Sequence, residues 1–113
     1  MRNKQKKITI LLTSAGGLTG VYLSKHFKQT SNYRIVAIDM SEFNPLLKWV
    51  DSFYIVPSIK DKNYISTVEC IIIEEKVDII IPVTSHDVDL FSQIKVKNQF
   101  KNAQMLLMDY QDH

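Results

Sequence analysis

Short runs of β-branched and aliphatic residues recur along this 113-residue chain, and between them the apolar spacing shifts to every third or fourth position. That change of period restricts the chain to alternating strands and helices. Lys7 to Thr13 (KITILLT), Arg34 to Asp39 (RIVAID), Phe53 to Val56 (FYIV), Asp78 to Ile81 (DIII) and Gln104 to Met108 (QMLLM) read as strands. Their apolar residues are continuous rather than alternating with polar ones, which is expected when both faces of a parallel sheet are covered. Between the strands, Gly16 to Gln29 carries Leu18, Val21, Tyr22 and Phe27 at helical spacing, with Lys25 and Lys28 on the other side. Asp61 to Lys76 carries Ile65, Val68 and Ile72 on one stripe, and a third helix shares Val88, Phe91 and Ile94, with Ser85 or Asp87 as its N-cap. Asn44 to Trp49 suggests a further short helix, with Pro45 in its first turn. Strands joined by helices, with right-handed crossovers, predict an α/β fold of three layers around an open parallel sheet in the order 3-2-1-4-5.

Length and charge narrow the function. Residues 1–113 suffice for a single domain and not for the two mononucleotide-binding halves of a complete dinucleotide site. Of the fourteen basic residues, Arg2, Lys4, Lys6 and Lys7 lie at the start, and the other ten face twelve acids. The body is therefore slightly acidic, without the basic, aromatic-studded face of a nucleic-acid binder. No apolar run spans a bilayer. Ile8 to Leu12, interrupted by Thr9 and running into glycines, is too short for a secretory core, so a cytoplasmic location is expected. A single cysteine, Cys70, excludes an internal disulfide, and its place in an apolar helical pattern predicts a buried structural thiol.

In a sheet of this order, ligands bind beyond the carboxyl ends of the strands. The segments there are Thr13 to Gly20, Asp39 to Glu42 and Pro82 to Asp87. All three glycines of the chain, Gly16, Gly17 and Gly20, lie in the turn between the first strand and first helix. Such a turn either brings backbone N–H groups to an anion at the helix end or permits close helix packing. Thr13 and Ser14 could donate hydrogen bonds to the same anion, but no base is spaced to make either a nucleophile. Asp39 falls about twenty residues after the glycines, where a dinucleotide site places its ribose acceptor. His86, Asp87 and Asp89 could act as acid, base or metal ligand, although both aspartates also suit the first turn of a helix.

Ser14-Ala15-Gly16-Gly17-Leu18-Thr19-Gly20 resembles the T-G-x-x-G-x-x-G turn of short-chain dehydrogenases and epimerases, with Ser14 in place of the first glycine. That resemblance implies an NAD(P) site using Ser14, Gly16, Gly17, Gly20 and Asp39. It lacks the family's Tyr-x-x-x-Lys pair, since no tyrosine here has a lysine four residues on.

A second resemblance covers most of the chain. ILLTSAGG, YRIVAIDMS, the hydrophobic-Asp-x-hydrophobic-Tyr-hydrophobic-hydrophobic-Pro segment at Val50 to Pro57, Tyr64, and VDIIIP at Val77 to Pro82 follow one another as in the N-terminal, pre-ATP-grasp domain of carbamoyl-phosphate-synthase-like ATP-grasp enzymes. The resemblance implies a Rossmann-like first domain of a ligase that joins a carboxylate to an amine or ammonia through an acyl phosphate. It implies that Gly16, Gly17, Thr84, Ser85, His86 and Asp87 face the substrate. The ATP grip, the lid and the magnesium ligands of that family belong to an ATP-grasp domain absent from this sequence. ATP and magnesium are therefore expected of the full-length protein, with no cofactor bound and no catalysis performed by this chain alone. The expected partners are that ATP-grasp domain and a small carboxylate or amine, with no nucleic acid and no membrane. Apolar surface left near the strand ends would also permit a homodimer. A standalone binding module is the non-enzymatic alternative.

Overall fold

The computed structural model describes residues 7–15, 18–30, 32–41, 49–97 and 103–105. Five strands, β1 (Thr9–Thr13), β2 (Arg34–Asp39), β3 (Ser52–Ile55), β4 (Ile79–Pro82) and β5 (Gln104–Met105), pair in parallel in the order β3-β2-β1-β4-β5. Helices α1 (Leu18–Thr30), α2 (Tyr64–Glu75) and α3 (Ser85–Lys97) connect them. The expected α/β fold and strand order are both present. The expected short helix falls largely on residues 42–48 and the end of the fifth strand on residues 106–108, which lie outside the described residues. Among the described residues no helix is long and apolar enough to cross a membrane.

Side chains that alternate along each strand feed two separate cores. Leu11, Val36, Ile38 and Ile80 point to one face, where they pack with Val68, Ile71 and Ile72 of α2 and Phe91 and Ile94 of α3. Ile10, Leu12, Ile35, Ala37 and Ile81 point to the other, against Val21, Leu23 and Phe27 of α1. β1 is buried along its whole length, which fits the three consecutive aliphatic residues Ile10, Leu11 and Leu12 between its two threonines.

Two helical expectations need correction. Tyr22 is 65% exposed and stacks on His26 instead of entering the core. The inward line of α1 is Gly20, Ser24 and Phe27, and a residue two positions from Gly20 lies roughly 200° around the helix. Cys70 is likewise exposed, because Val68, Ile71 and Ile72 take the inward face of α2. Apolar type alone did not distinguish the two faces.

Aspartates set the register at two strand starts. Asp51, just before β3, donates its backbone N–H to Ile35 O at 2.8 Å and accepts Ile35 N–H on Oδ2 at 2.7 Å. Asp78, just before β4, donates its N–H to Thr9 O and accepts Thr9 N–H on Oδ2, each at 2.9 Å. Each carboxylate thus extends a parallel ladder by one bond that the backbone of its own strand does not make. Asp51 also pairs with Lys28 of α1 at 2.8 Å. At the same end of the sheet, Glu75 accepts hydrogen bonds from the Arg34 guanidinium and the Tyr54 hydroxyl.

These contacts make stability acid-sensitive. Burial pushes both carboxyls up, but the donors around them outweigh it. The Lys28 ammonium and the Ile35 N–H hold Asp51 below its ordinary 3.8. Tyr54 and Arg34 likewise hold Glu75 below its ordinary 4.5. A depressed folded-state value favours the ionised form in the folded protein, so this contribution is complete above the ordinary values and fades as pH falls through the folded ones. Urea midpoints are expected to fall between pH 5 and pH 3, and Asp51→Asn with Glu75→Gln should flatten that slope while costing about 0.5–1 kcal/mol each at neutral pH. An unchanged slope in the double variant would remove these two groups as its cause.

Candidate functional site

The carboxyl ends of β1, β2 and β4 meet where the strand order reverses, and a buried polar contact joins them. Pro82, at the end of β4 opposite Thr13, has no N–H to give to the ladder. The next residue, Val83, instead directs its N–H at the Thr13 hydroxyl oxygen, 3.4 Å away. That hydroxyl donates in turn to Asp87 Oδ2 at 2.7 Å. Both side chains are buried, Thr13 at 0% and Asp87 at 1% exposure. Among the described residues no lysine or arginine pairs with Asp87.

α3 begins one residue earlier than expected for its cap. Thr84 Oγ1 accepts the Asp87 N–H at 3.2 Å, so Thr84 is the N-cap in place of Ser85 or Asp87. Asp87 sits three residues on, where its charge also suits the positive helix end. Ser85, His86 and Asp89 are exposed while Asp87 is buried, so the three candidate ligands do not converge. Among the described residues no group of three or more His, Cys, Asp or Glu side chains could hold a metal.

On the other side of β1 the chain turns through Ser14, whose φ of 47° is left-handed, a region in which glycine is unstrained and serine is not. Ala15 N–H then bonds to Ile38 O of β2 at 3.0 Å, which draws the turn over the sheet. Gly20 faces this turn: a Cβ placed there would lie 2.1 Å from Ala15 O. The third glycine therefore serves close packing of α1 on the turn. Gly16 and Gly17 lie outside the described residues.

A pocket of about 70 Å³ opens beside this turn, lined by Ser14, Asp39, Met40, Val56, Ile59 and Tyr64 among others. Asp39 ends β2, and its Oδ1 accepts the Met40 N–H at 2.8 Å. Tyr64 starts α2, is 3% exposed, and packs edge-on against Phe91. Its hydroxyl titrates above the ordinary tyrosine range, first because it is buried and then because Asp87 and Asp39 are near. Met40 and Ile55, at the ends of β2 and β3, are 62% and 57% exposed, so apolar surface does border the strand ends.

Ser14 and Asp39 are thus brought together, as are Thr13, Thr84 and Asp87. Tyr64 and the loop after β3 were missed as site residues. The signal for both was present: in the order 3-2-1-4-5 the end of β3 lies beside that of β2, and Pro57 marks where that strand stops. A pocket this small is well under the roughly 300 Å³ at which ordinary ligand pockets begin, so a nucleoside triphosphate with its magnesium does not fit it. A larger groove of about 360 Å³ lies at the opposite, amino end of the strands, lined by Lys7, Thr9, Arg34, Glu74, Glu75 and Lys76. There Arg34 and Glu75 neutralise each other.

Residues 10–106 match the family model described as PylC-like, N-terminal domain. Among solved structures, the PbgP3 protein from Burkholderia pseudomallei is similar, with a TM-score of 0.53 and 25% sequence identity over 68% of this chain. The present chain spans 25% of the length of that one. No curated protein matches the sequence.

Proposed function

Since this chain belongs to the PylC-like N-terminal domain family, we propose that it is the first domain of an ATP-grasp ligase, one that joins a carboxylate to an amine or ammonia through an acyl phosphate. The family match over residues 10–106 is the observation that carries this reading. It is supported by the position of the Thr13–Asp87 contact and of the Ser14–Asp39 pocket, both at the strand ends where a sheet of this order presents a ligand. The domain's share of the work is to form one wall of the substrate cleft. Thr84, Ser85 and His86 lie at the mouth of that wall, with the buried Asp87 fixing the turn that presents them. ATP and magnesium are assigned to an ATP-grasp domain of the full-length protein, and the exposed Met40 and Ile55 to the surface that domain covers. A carbamoyl-phosphate-synthase-like relationship and a cytoplasmic setting belong to the same proposal.

A second reading is favoured by one observation, that Ser14 and Asp39 line a single pocket as the turn and acid of an NAD(P) site would. Calorimetry separates the two. On the ligase reading the 113-residue chain binds NAD and NADP no better than about millimolar, about −4 kcal/mol. The full-length protein should release ADP only when both a carboxylate and an amine are supplied. Micromolar NAD(P) binding abolished by Asp39→Ala would replace this reading with the second.

A further inference from the structure

The pocket beside Ser14 contains a polar group that no described residue answers. Tyr64 is 3% exposed, yet among the described residues its hydroxyl has no hydrogen-bond partner, although a buried tyrosine hydroxyl ordinarily finds one. It lines the pocket together with the Asp39 carboxylate and the Ser14 hydroxyl, and among the described lining residues none is basic. An anion there would meet the Asp39 carboxylate, and Asp87 also acts on Tyr64, with no positive side chain among the described lining residues to offset either. A divalent metal is equally poorly served, since among the described lining residues one carboxylate and the three hydroxyls of Ser14, Ser58 and Tyr64 fall short of the charged oxygen cage such ions take.

Size and wall chemistry narrow the occupant further. The volume of about 70 Å³ is roughly two waters' share of liquid volume. An ammonium group carries three donors and no acceptor. Asp39, Tyr64 and Ser14 offer three acceptors, while Met40, Val56 and Ile59 supply apolar wall for a methylene chain. We propose that this pocket binds the ammonium head of an aliphatic primary amine, with the carboxylate of Asp39 as its counter-charge and the hydroxyls of Tyr64 and Ser14 as its remaining acceptors. Naming that amine as a substrate rests on the ligase reading; the binding site itself does not.

The test is a titration of the 113-residue chain with propylammonium chloride, followed by amide chemical shifts, with sodium propionate as the matched anion. Saturable shifts are expected at Ser14, Asp39, Met40 and Tyr64 with propylammonium and not with propionate. Asp39→Asn, which keeps the shape and removes the charge, should weaken binding at least about tenfold. Tyr64→Phe keeps the ring against Phe91, so the fold survives, and should weaken binding several-fold. No saturable shift, an equal response to propionate, or Asp39→Asn binding as tightly as the parent overturns the site. The ligase reading fails separately. Ammonium binding in a chain whose full-length protein shows no ATP-dependent amine ligation sustains the site and removes the ligase. Ligation whose amine KM is untouched by both variants sustains the ligase and removes the amine in this pocket as its substrate, while the titration alone decides the site.

Discussion

Gly20→Ala is expected to cost about 3 kcal/mol or more, enough to lower the melting temperature by roughly 12 °C in a domain of this size. The added Cβ would lie 2.1 Å from Ala15 O and 2.6 Å from Ala15 C and Cα, all backbone atoms that no rotamer change can move aside. Relief requires α1 to withdraw from the turn. That withdrawal would strain the Ala15 N–H to Ile38 O bond and open the core between α1 and the sheet, where Val21, Leu23 and Phe27 pack. Alanine is otherwise the better helix former by about 1 kcal/mol, so the sign of the measured change decides between the two effects. A thermal melt of Gly20→Ala at or above the parent value would show that the turn yields cheaply and that glycine is there for another reason.

The contrast between Gly20 and its neighbours shows which parts of this molecule could be read from its residues. The strand order was legible because short apolar segments alternate with helical spacing, and strands joined by right-handed helical crossovers pair in few orders. Helix faces were less so. Tyr22 and Cys70 were placed inward by residue type, but orientation is fixed by where neighbouring inward residues fall around the turn. The roles of Asp51 and Asp78 depend on a strand distant in sequence, and a carboxylate before a strand looks the same whether it accepts Ile35 N–H, Thr9 N–H or water. The site was legible to the same limit. Asp39 and Asp87 were found from their positions at strand ends. Tyr64 was visible as a motif residue, but the burial of its hydroxyl, without a partner among the described residues, emerges only when α2 is folded over the sheet.

Thr13→Val is the second variant with a large expected effect, about 2–3 kcal/mol by urea denaturation, although valine nearly matches threonine in shape. The hydroxyl it removes is both the acceptor of Val83 N–H and the donor to Asp87 Oδ2. Its loss leaves a carboxylate at 1% exposure without that donor, and burying a charge unanswered costs far more than a single neutral hydrogen bond returns. Thr13→Ser keeps the hydroxyl and gives up one buried methyl, so about 1 kcal/mol is expected. Asp87→Asn keeps an acceptor oxygen, removes the charge, and should make the loss of the Thr13 hydroxyl less costly. The cycle of Thr13→Val, Asp87→Asn and the pair should therefore be non-additive by about 1 kcal/mol or more. If the effects simply add, the two side chains are adjacent without being coupled. Coupling would mean that the last turn of β1 and the first turn of α3 move as one unit. Thr84, Ser85 and His86 would then be held in place from below by β1, so that the wall proposed for them is set by the sheet rather than by the loop that carries it.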